Sequence, residues 1–447
     1  MKKKYVYPIL LVLFVTISAF VIIKNTGKED KNKVSSYELL PRKTSLAYPA
    51  EWTTVKNNAS VLSGKIKNNT ADIKSMIALA ALYIQEGRTT GNFKYYNAAA
   101  TKIVNDVLVK DEKNFEALTF KATILLSQHQ FEEANKIAEQ VRQLYPQNAY
   151  VYGLIVDANV ELGNYEMALD AADKMISMRP DIRSYSRIAY LREIHGDIQG
   201  AIEAMTLAVD AGTPGDENTE WCRVQMAKLY KQIGKIKEAE MHYTIAAENR
   251  EHYPYALAGL ASIAIHEKKY SKALALYMKA DSLIPDHTFK EGMAEVYNLM
   301  SEPGKARSIA EDILTYMKQF SGDNSKEMSQ NEDHEMAHAY MGVGNYDKAL
   351  EYALAEYKRR PANIEVNETV AIVYYKLDDY EKALAYLEKA LKTNCKNPEL
   401  LCYAGLIYAK AGKTKEAKFF IEGASKNNPL IPAELKKEAL EILRSLT

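Results

Sequence analysis

Cysteine, glycine, proline and tryptophan are all scarce in this chain of 447 residues, and their scarcity excludes several classes of protein. The three cysteines, Cys222, Cys395 and Cys402, are too few and too scattered for a disulfide framework or a paired-cysteine zinc site. With 20 glycines and 13 prolines, the chain is neither collagen-like nor a Pro/Gly-rich disordered sequence. Tryptophan occurs twice, whereas tyrosine occurs 31 times.

An excess of charge of either sign is also missing. Lysine plus arginine and aspartate plus glutamate each total 58, so the formal net charge is zero. Nucleic-acid-binding proteins usually carry a basic surface that neutralises phosphates, and this composition provides no such excess. No phosphate loop, nucleophile elbow or dinucleotide fingerprint occurs either. We therefore predict no nucleic-acid partner, no cofactor and no enzymatic activity.

The N-terminus differs from the rest of the chain. Lysines at positions 2–4 precede an uncharged stretch, residues 5–23, which is close to the length of about 20 residues that crosses a membrane. Ala19 offers a cleavage site for a signal peptide, but the apolar run continues to Ile23, which favours a retained anchor. The preceding lysines favour a cytoplasmic N-terminus. The sequence thus predicts a single-pass, membrane-anchored protein whose body is exported to the periplasmic or extracytoplasmic side.

A short phrase recurs along the body of the chain. It reads GNYEMAL at 163–169, GNYDKAL at 344–350 and DYEKAL at 379–384. The alanine of this phrase, or of a weaker copy, falls at Ala100, Ala134, Ala168, Ala201, Ala239, Ala273, Ala306, Ala349, Ala383 and Ala417. Most successive alanines are 33 or 34 residues apart, and inserts near Pro214 and Asn324 account for the two longer gaps.

Two further features recur with this phrase. A small residue is followed three positions later by an aromatic one, as in Ala80/Tyr83 and Ala371/Tyr374, and a proline such as Pro361 follows the alanine after twelve positions. Together with the period, they make the chain similar to the tetratricopeptide repeat family. The resemblance implies an all-α superhelical solenoid of about ten helix pairs. One pair cannot bury its apolar face alone, so neighbouring pairs stack and share a core.

The pattern divides the chain into segments. We predict that helices at both ends cap the array, because apolar residues recur there at helical spacing. The predicted segments are a transmembrane signal-anchor or signal peptide at 1–24, a linker at 25–48, an N-terminal capping helix at 49–71, the repeat array at 72–430 and a C-terminal capping helix at 431–447.

The resemblance also implies a binding surface. In the family, the first helices of successive repeats line a concave groove that binds peptides. The register and flanking positions of these helices give the candidate groove residues Tyr150, Asp157, Tyr190, Trp221, Tyr255, Glu291, Glu295, His334, His338, Glu365, Glu368 and Tyr375. We predict a non-catalytic scaffold that is held at a membrane and binds a protein or peptide partner there. A cytosolic regulatory repeat protein is an alternative.

The sharpest chemical motif is His334-Glu335-Met336-Ala337-His338, which matches the H-E-x-x-H pattern of zinc peptidases. It supports a second alternative, a zinc-dependent peptidase. However, Met336 and Ala337 fall on core positions of the repeat, and no histidine follows His338 to complete the ligand set. A milder hypothesis joins the two histidines with Glu291, Glu295 and Glu368 in a stripe that could hold a divalent cation or a basic segment of a partner.

Overall fold

In the computed structural model, residues 37–321, 331–426 and 429–446 are described. They contain a short 3-10 helix, Thr44–Leu46, and 22 α-helices. No strand occurs among these residues. In chain order the helices are α1 (Pro49–Asn68), α2 (Ile73–Thr90), α3 (Phe93–Lys110), α4 (Phe115–Ser127), α5 (Phe131–Leu144), α6 (Ala149–Leu162), α7 (Tyr165–Met178), α8 (Ile182–Ile194), α9 (Ile198–Asp210), α10 (Glu217–Gln232), α11 (Ile236–Asn249), α12 (Pro254–His266), α13 (Tyr270–Leu283), α14 (His287–Leu299), α15 (Pro303–Ser321), α16 (Asp333–Gly342), α17 (Tyr346–Arg359), α18 (Ile364–Lys376), α19 (Tyr380–Ala390), α20 (Pro398–Lys410), α21 (Thr414–Ser425) and α22 (Ala433–Ser445).

Local chemistry fixes many of the helix ends. The side chains of Asn114 and Asn363 accept hydrogen bonds from backbone N–H groups in the first turns of α4 and α18. Pro398 begins α20, where its missing N–H would have no helical partner. Gly163 ends α6 with a φ of 79°, a left-handed conformation that glycine adopts without steric cost. Asparagine, proline and glycine therefore punctuate the array.

The alanine of the recurring phrase explains how consecutive helices pack. Ala100, Ala168, Ala349 and Ala383 are fully buried. Such small side chains let two helices approach closely, while larger neighbours fill the remaining space. The apolar clusters each span several consecutive helices, so neighbouring pairs share a core. The described residues confirm the predicted all-helical, repeat-like solenoid.

The solenoid winds so tightly that segments about 200 residues apart meet. The hydroxyl of Tyr165 accepts a hydrogen bond from the backbone N–H of Ile364, 199 positions later, at 2.9 Å. The Asn363 side-chain amide donates to the Glu161 carbonyl at 3.0 Å. Arg360 pairs with the Glu161 carboxylate. We call this contact between residues 161–165 and 360–364, and its continuation from Gly196 to Asn394, the seam.

Residues 37–48, which belong to the predicted linker 25–48, pack on the first helices of the array. Tyr37 and Leu39 contact the cluster of α2 and α3, and the Leu40 N–H donates to the Tyr96 hydroxyl at 3.1 Å. Arg42 donates to both oxygens of Glu86, at 2.9 and 2.5 Å. The polar appearance of this segment reflects a buried ion pair as well as solvent-exposed charge.

The predicted single-pass membrane localisation is contradicted. Within residues 37–321, 331–426 and 429–446, no helix combines the length and the apolar character that a membrane span requires. The segment on which the prediction rested, residues 5–23, lies outside the described part of the chain. The predicted single-pass, membrane-anchored localisation is therefore withdrawn.

The number and kind of helices also differ from the prediction. The described residues hold 22 helices, and α1 and α22 stand at the two ends of the series. The transmembrane helix of the prediction is not among them.

Candidate functional site

Side chains from distant helices meet on the inner side of the wound solenoid. The Tyr190 hydroxyl on α8 donates to Oε1 of Glu365 on α18 at 3.1 Å. Glu365, together with burial, raises the pKa of Tyr190. Lys231 on α10 lies near enough to the carboxylates of Glu295 and Glu399 to interact with them electrostatically. We call this shared inner surface, formed by α6, α8, α10, α14, α16, α18 and α20, the interior face.

A cavity of about 530 Å³ opens on the interior face. It lies between α16, α18 and α20, and it is lined by His334, His338, Met341, Gly342, Tyr346, Glu365, Glu368, Thr369, Ile372, Lys376, Glu399 and Tyr403. A second cavity, of about 640 Å³, shares His338, Met341 and Gly342 and extends along α14 and α15 to Pro432. Apolar side chains such as Ile313 and Val343 line much of this second space. We call the two adjoining cavities the recess. The first is its acidic part, and the second is its apolar part, which Glu291, Glu295, Arg307 and Glu434 also border.

The acidic part carries three carboxylates and one ammonium group. Burial, reinforced by Glu365 and Glu399, raises the pKa of Glu368 to about 8. Burial also raises the pKa of Glu399. The Lys376 ammonium lies 3.9 Å from the Glu438 carboxylate and over the rings of Tyr375 and Tyr403. Lys376 is thus shared with Glu438, while Lys231 interacts with Glu399 from α10.

The two histidines of the H-E-x-x-H motif face the recess, but the glutamate does not join them. The rings of His334 and His338 are 4.7 Å apart, and Nε2 of His338 lies 3.2 Å from the Thr369 hydroxyl. Burial lowers the pKa of His334 to about 3 and that of His338 to about 4, so both imidazoles are neutral at physiological pH. Oε1 of Glu335 instead lies 3.5 Å from Nδ1 of His129, which belongs to the turn between α4 and α5.

Neutral imidazoles are suitable metal ligands, but the motif does not assemble a metal site. In the described part of the chain, no group of three or more histidine, cysteine, aspartate or glutamate side chains is placed to hold a metal ion. The zinc-peptidase alternative requires a third ligand and a glutamate aimed at bound water. The geometry of Glu335 therefore gives that alternative no support.

The structure brings part of the predicted groove together. Six predicted residues line the recess: Glu291, Glu295, His334, His338, Glu365 and Glu368. Tyr190 joins them through its hydrogen bond to Glu365. Further along the interior face, Asp157 forms an ion pair with Arg187 at 2.5 Å, and the Tyr150 hydroxyl lies 3.0 Å from Thr123 Oγ1.

Three predicted aromatic residues lie apart from the recess. Tyr255 packs edge-on against Tyr253, with ring centroids 5.6 Å apart. Trp221, on α10, is 37% exposed. Tyr375 is buried, and its hydroxyl donates to Oε1 of Glu438 on the closing helix at 2.6 Å. The aromatic side chains that line the recess are instead Tyr346 and Tyr403.

The prediction missed several charged residues of the interior face. Glu161, Glu193, Lys231 and Glu399 were not among the candidates. Burial raises the pKa of Glu193 to about 7, and Lys228 opposes this shift. Glu161 is one helical turn beyond the predicted residue Asp157, so extending the register by a turn finds it.

Comparisons with known proteins agree with the repeat pattern. Three tetratricopeptide repeat models match residues 125–192, 224–287 and 365–397. These three segments of the chain are similar to tetratricopeptide repeats. The first two matches each contain two of the recurring alanines, and the third contains Ala383.

Solved structures of tetratricopeptide repeat proteins are also similar. A tetratricopeptide repeat protein from Parabacteroides merdae shares 18% identity, with 59% of this chain and 98% of that chain covered and a TM-score of 0.34. The tetratricopeptide domain of P58(IPK) shares 16% identity, with 74% and 98% covered and a TM-score of 0.24. A search of curated proteins gives no match.

Proposed function

We propose that this tetratricopeptide repeat protein is a non-catalytic scaffold that binds a polypeptide segment in the recess of its interior face. The observation that carries the proposal is the recess itself, in which Glu365, Glu368 and Glu399 line a cavity beside Tyr346 and Tyr403. Tetratricopeptide repeat proteins are typically protein-interaction scaffolds, which supports this function. The histidines contribute a neutral, polar wall to the recess and take part in no reaction.

The chemistry of the recess favours a basic segment. Carboxylates in a partly desolvated space attract a cation more strongly than they do on an open surface. A lysine or arginine entering beside Glu368 stabilises its ionised form and so offsets the cost of its burial. The faces of Tyr346 and Tyr403 also attract cations. The apolar part of the recess, near Ile313 and Val343, would hold neighbouring apolar side chains of the same segment.

Charge-neutralising variants test this proposal. The interior variant E365Q/E368Q/E399Q removes three ionisable carboxyl groups from the recess. The matched control E166Q/E203Q/E381Q removes three charges from exposed positions on α7, α9 and α19. Fluorescence anisotropy would measure the affinity of both variants and the wild type for a labelled twelve-residue peptide rich in lysine and leucine. A glutamate-rich peptide of equal length serves as the negative ligand.

We expect the lysine-rich peptide to bind the wild type and the control variant with similar affinity. The interior variant should bind it at least about tenfold more weakly, because each lost charge pair contributes on the order of 0.5 kcal/mol. Equal weakening of both variants would mean that the peptide senses only net charge. Such a result, or no binding to the wild type, would refute the proposed function.

A further inference from the structure

The seam joins two stretches of the solenoid through polar groups. Arg360 pairs with the carboxylates of Glu161 and Glu356, and its guanidinium lies 4.8 Å from the centroid of the Phe131 ring. Asn363 donates to the Glu161 carbonyl at 3.0 Å and thereby ties the start of α18 to the end of α6. Charge-assisted hydrogen bonds of this kind are strong and specific in geometry.

Two glycines allow the stretches to approach so closely. A Cβ atom on Gly163 would overlap the backbone of Ala362, and one on Gly196 would lie 2.5 Å from the Asn394 carbonyl oxygen. Gly344 occupies the same place in a later copy of the phrase and has a similar positive φ, 74° against 79°. Nothing lies within 4 Å of a Cβ placed on Gly344. Glycine at 163 therefore serves the contact as well as the turn.

The seam differs from the interfaces between consecutive helices. Apolar clusters hold sequence neighbours together, as α18, α19 and α20 are held by Val370, Leu387 and Leu406. Across the seam the contacts are mainly hydrogen bonds and ion pairs, with Ile364 as an apolar member. Separating a polar interface exchanges its bonds for water, whereas separating a core exposes apolar area. The seam can therefore open while each helix pair stays folded.

The seam also restricts the interior face. The Tyr190 hydroxyl, from the stretch before the seam, donates to Glu365 just beyond it. Glu365 lines the acidic part of the recess. An incoming cation must therefore compete with the Tyr190 hydroxyl for this carboxylate as long as the seam is closed. Parting the two stretches would remove Tyr190 and open a lateral path to the recess.

We propose that the seam is a gate, which parts to admit a polypeptide to the interior face and then recloses on it. This inference rests on the proposed function, because it concerns access to the same recess. The moving elements are the stretch that contains residues 161–196 and the stretch that contains residues 360–394. They move apart as packed bodies, while the helices that connect them along the chain stay folded.

A wedge in the seam tests the gate. In G163A the new methyl group holds residues 163 and 362 apart, whereas G344A introduces the same strain at positive φ without a contact. Small-angle X-ray scattering measures the radius of gyration, circular dichroism checks helix content, and stopped-flow anisotropy measures association of the lysine-rich peptide. R360Q, which removes the central charge without adding bulk, is a second opening variant if G163A folds poorly.

We expect G163A and R360Q to show a larger radius of gyration than the wild type and G344A, with equal helix content. Peptide association should be several-fold faster in both opening variants. An unchanged radius would overturn the gate, and so would a larger radius with unchanged association. Failure of the proposed function would be distinguishable, because the peptide would then bind none of the four proteins while the scattering still reported whether the seam opens.

Discussion

The ion pair between Arg42 and Glu86 gives the most quantitative prediction about the fold. Each side chain is 1% exposed, and two hydrogen bonds of 2.9 and 2.5 Å join them. Arg42 also donates to the Leu46 carbonyl at 3.2 Å and to Glu51 at 2.6 Å. The perturbation is R42A, which leaves the Glu86 carboxylate buried without its cation.

The expected cost follows from that burial. Removing one partner of a buried ion pair typically costs about 3–5 kcal/mol, because the remaining charge has no compensation. The double variant R42M/E86Q removes both charges and keeps most of the volume, so it should recover much of this loss. The exposed pair Arg307–Glu311, with side chains 73% and 56% exposed, provides the control. R307A should cost less than about 1 kcal/mol.

Native-state hydrogen exchange is the suitable assay, because a repeat array can open locally at one end. A loss of 3–5 kcal/mol corresponds to a drop of about two to four orders of magnitude in the protection of amides in α2, since each 1.4 kcal/mol is a factor of ten. Protection in α20 should be unchanged, because it belongs to a different apolar cluster. Unchanged protection of α2 in R42A, or a double variant no better than R42A, would refute the reasoning.

Two further predictions concern packing and pH. In α12, the added Cβ of G259A would overlap the buried ring of Tyr243, so the free energy of unfolding measured by urea titration should fall by about 1–3 kcal/mol. G64A adds its Cβ to free space in α1, so its free energy of unfolding should rise by about 0.5–1 kcal/mol. A loss in G64A equal to that in G259A would contradict this account. The pKa of Glu368 is raised from 4.5 to about 8, so its contribution to stability is full below pH 4.5 and is lost as the pH rises towards 8. The urea midpoint should therefore fall between about pH 5 and pH 9 by more in the wild type than in E368Q, and parallel declines would exclude this role for Glu368.

Local features of the fold could be predicted from sequence because they depend on near neighbours in the chain. The alanine of the recurring phrase must be small to let two helices meet, and Ala168 and Ala349 are accordingly fully buried. The same register predicts Glu368, His334 and His338 on one surface, with Glu365 flanking them. A period of 34 residues carries this information directly.

The seam could not be predicted in the same way. Its partners are about 200 residues apart, and their meeting depends on small rotations that accumulate over several repeats. No local pattern marks Arg360 as the partner of Glu161, or distinguishes Gly163 from Gly344, because the turns that contain the two glycines are alike in sequence. The burial of Arg42 could not be predicted from a local pattern either, since it depends on Glu86, which lies 44 positions later.

Site-specific photocrosslinking tests the central claim, a basic polypeptide held in the interior recess, most directly. A photoreactive amino acid replaces either Ile372, which lines the recess on α18, or Ala385, which is exposed on the adjacent α19. We predict that the lysine-rich peptide crosslinks from position 372 and that E365Q/E368Q/E399Q abolishes this product. Equal crosslinking from position 385, or a product at 372 that survives the three substitutions, would contradict the account.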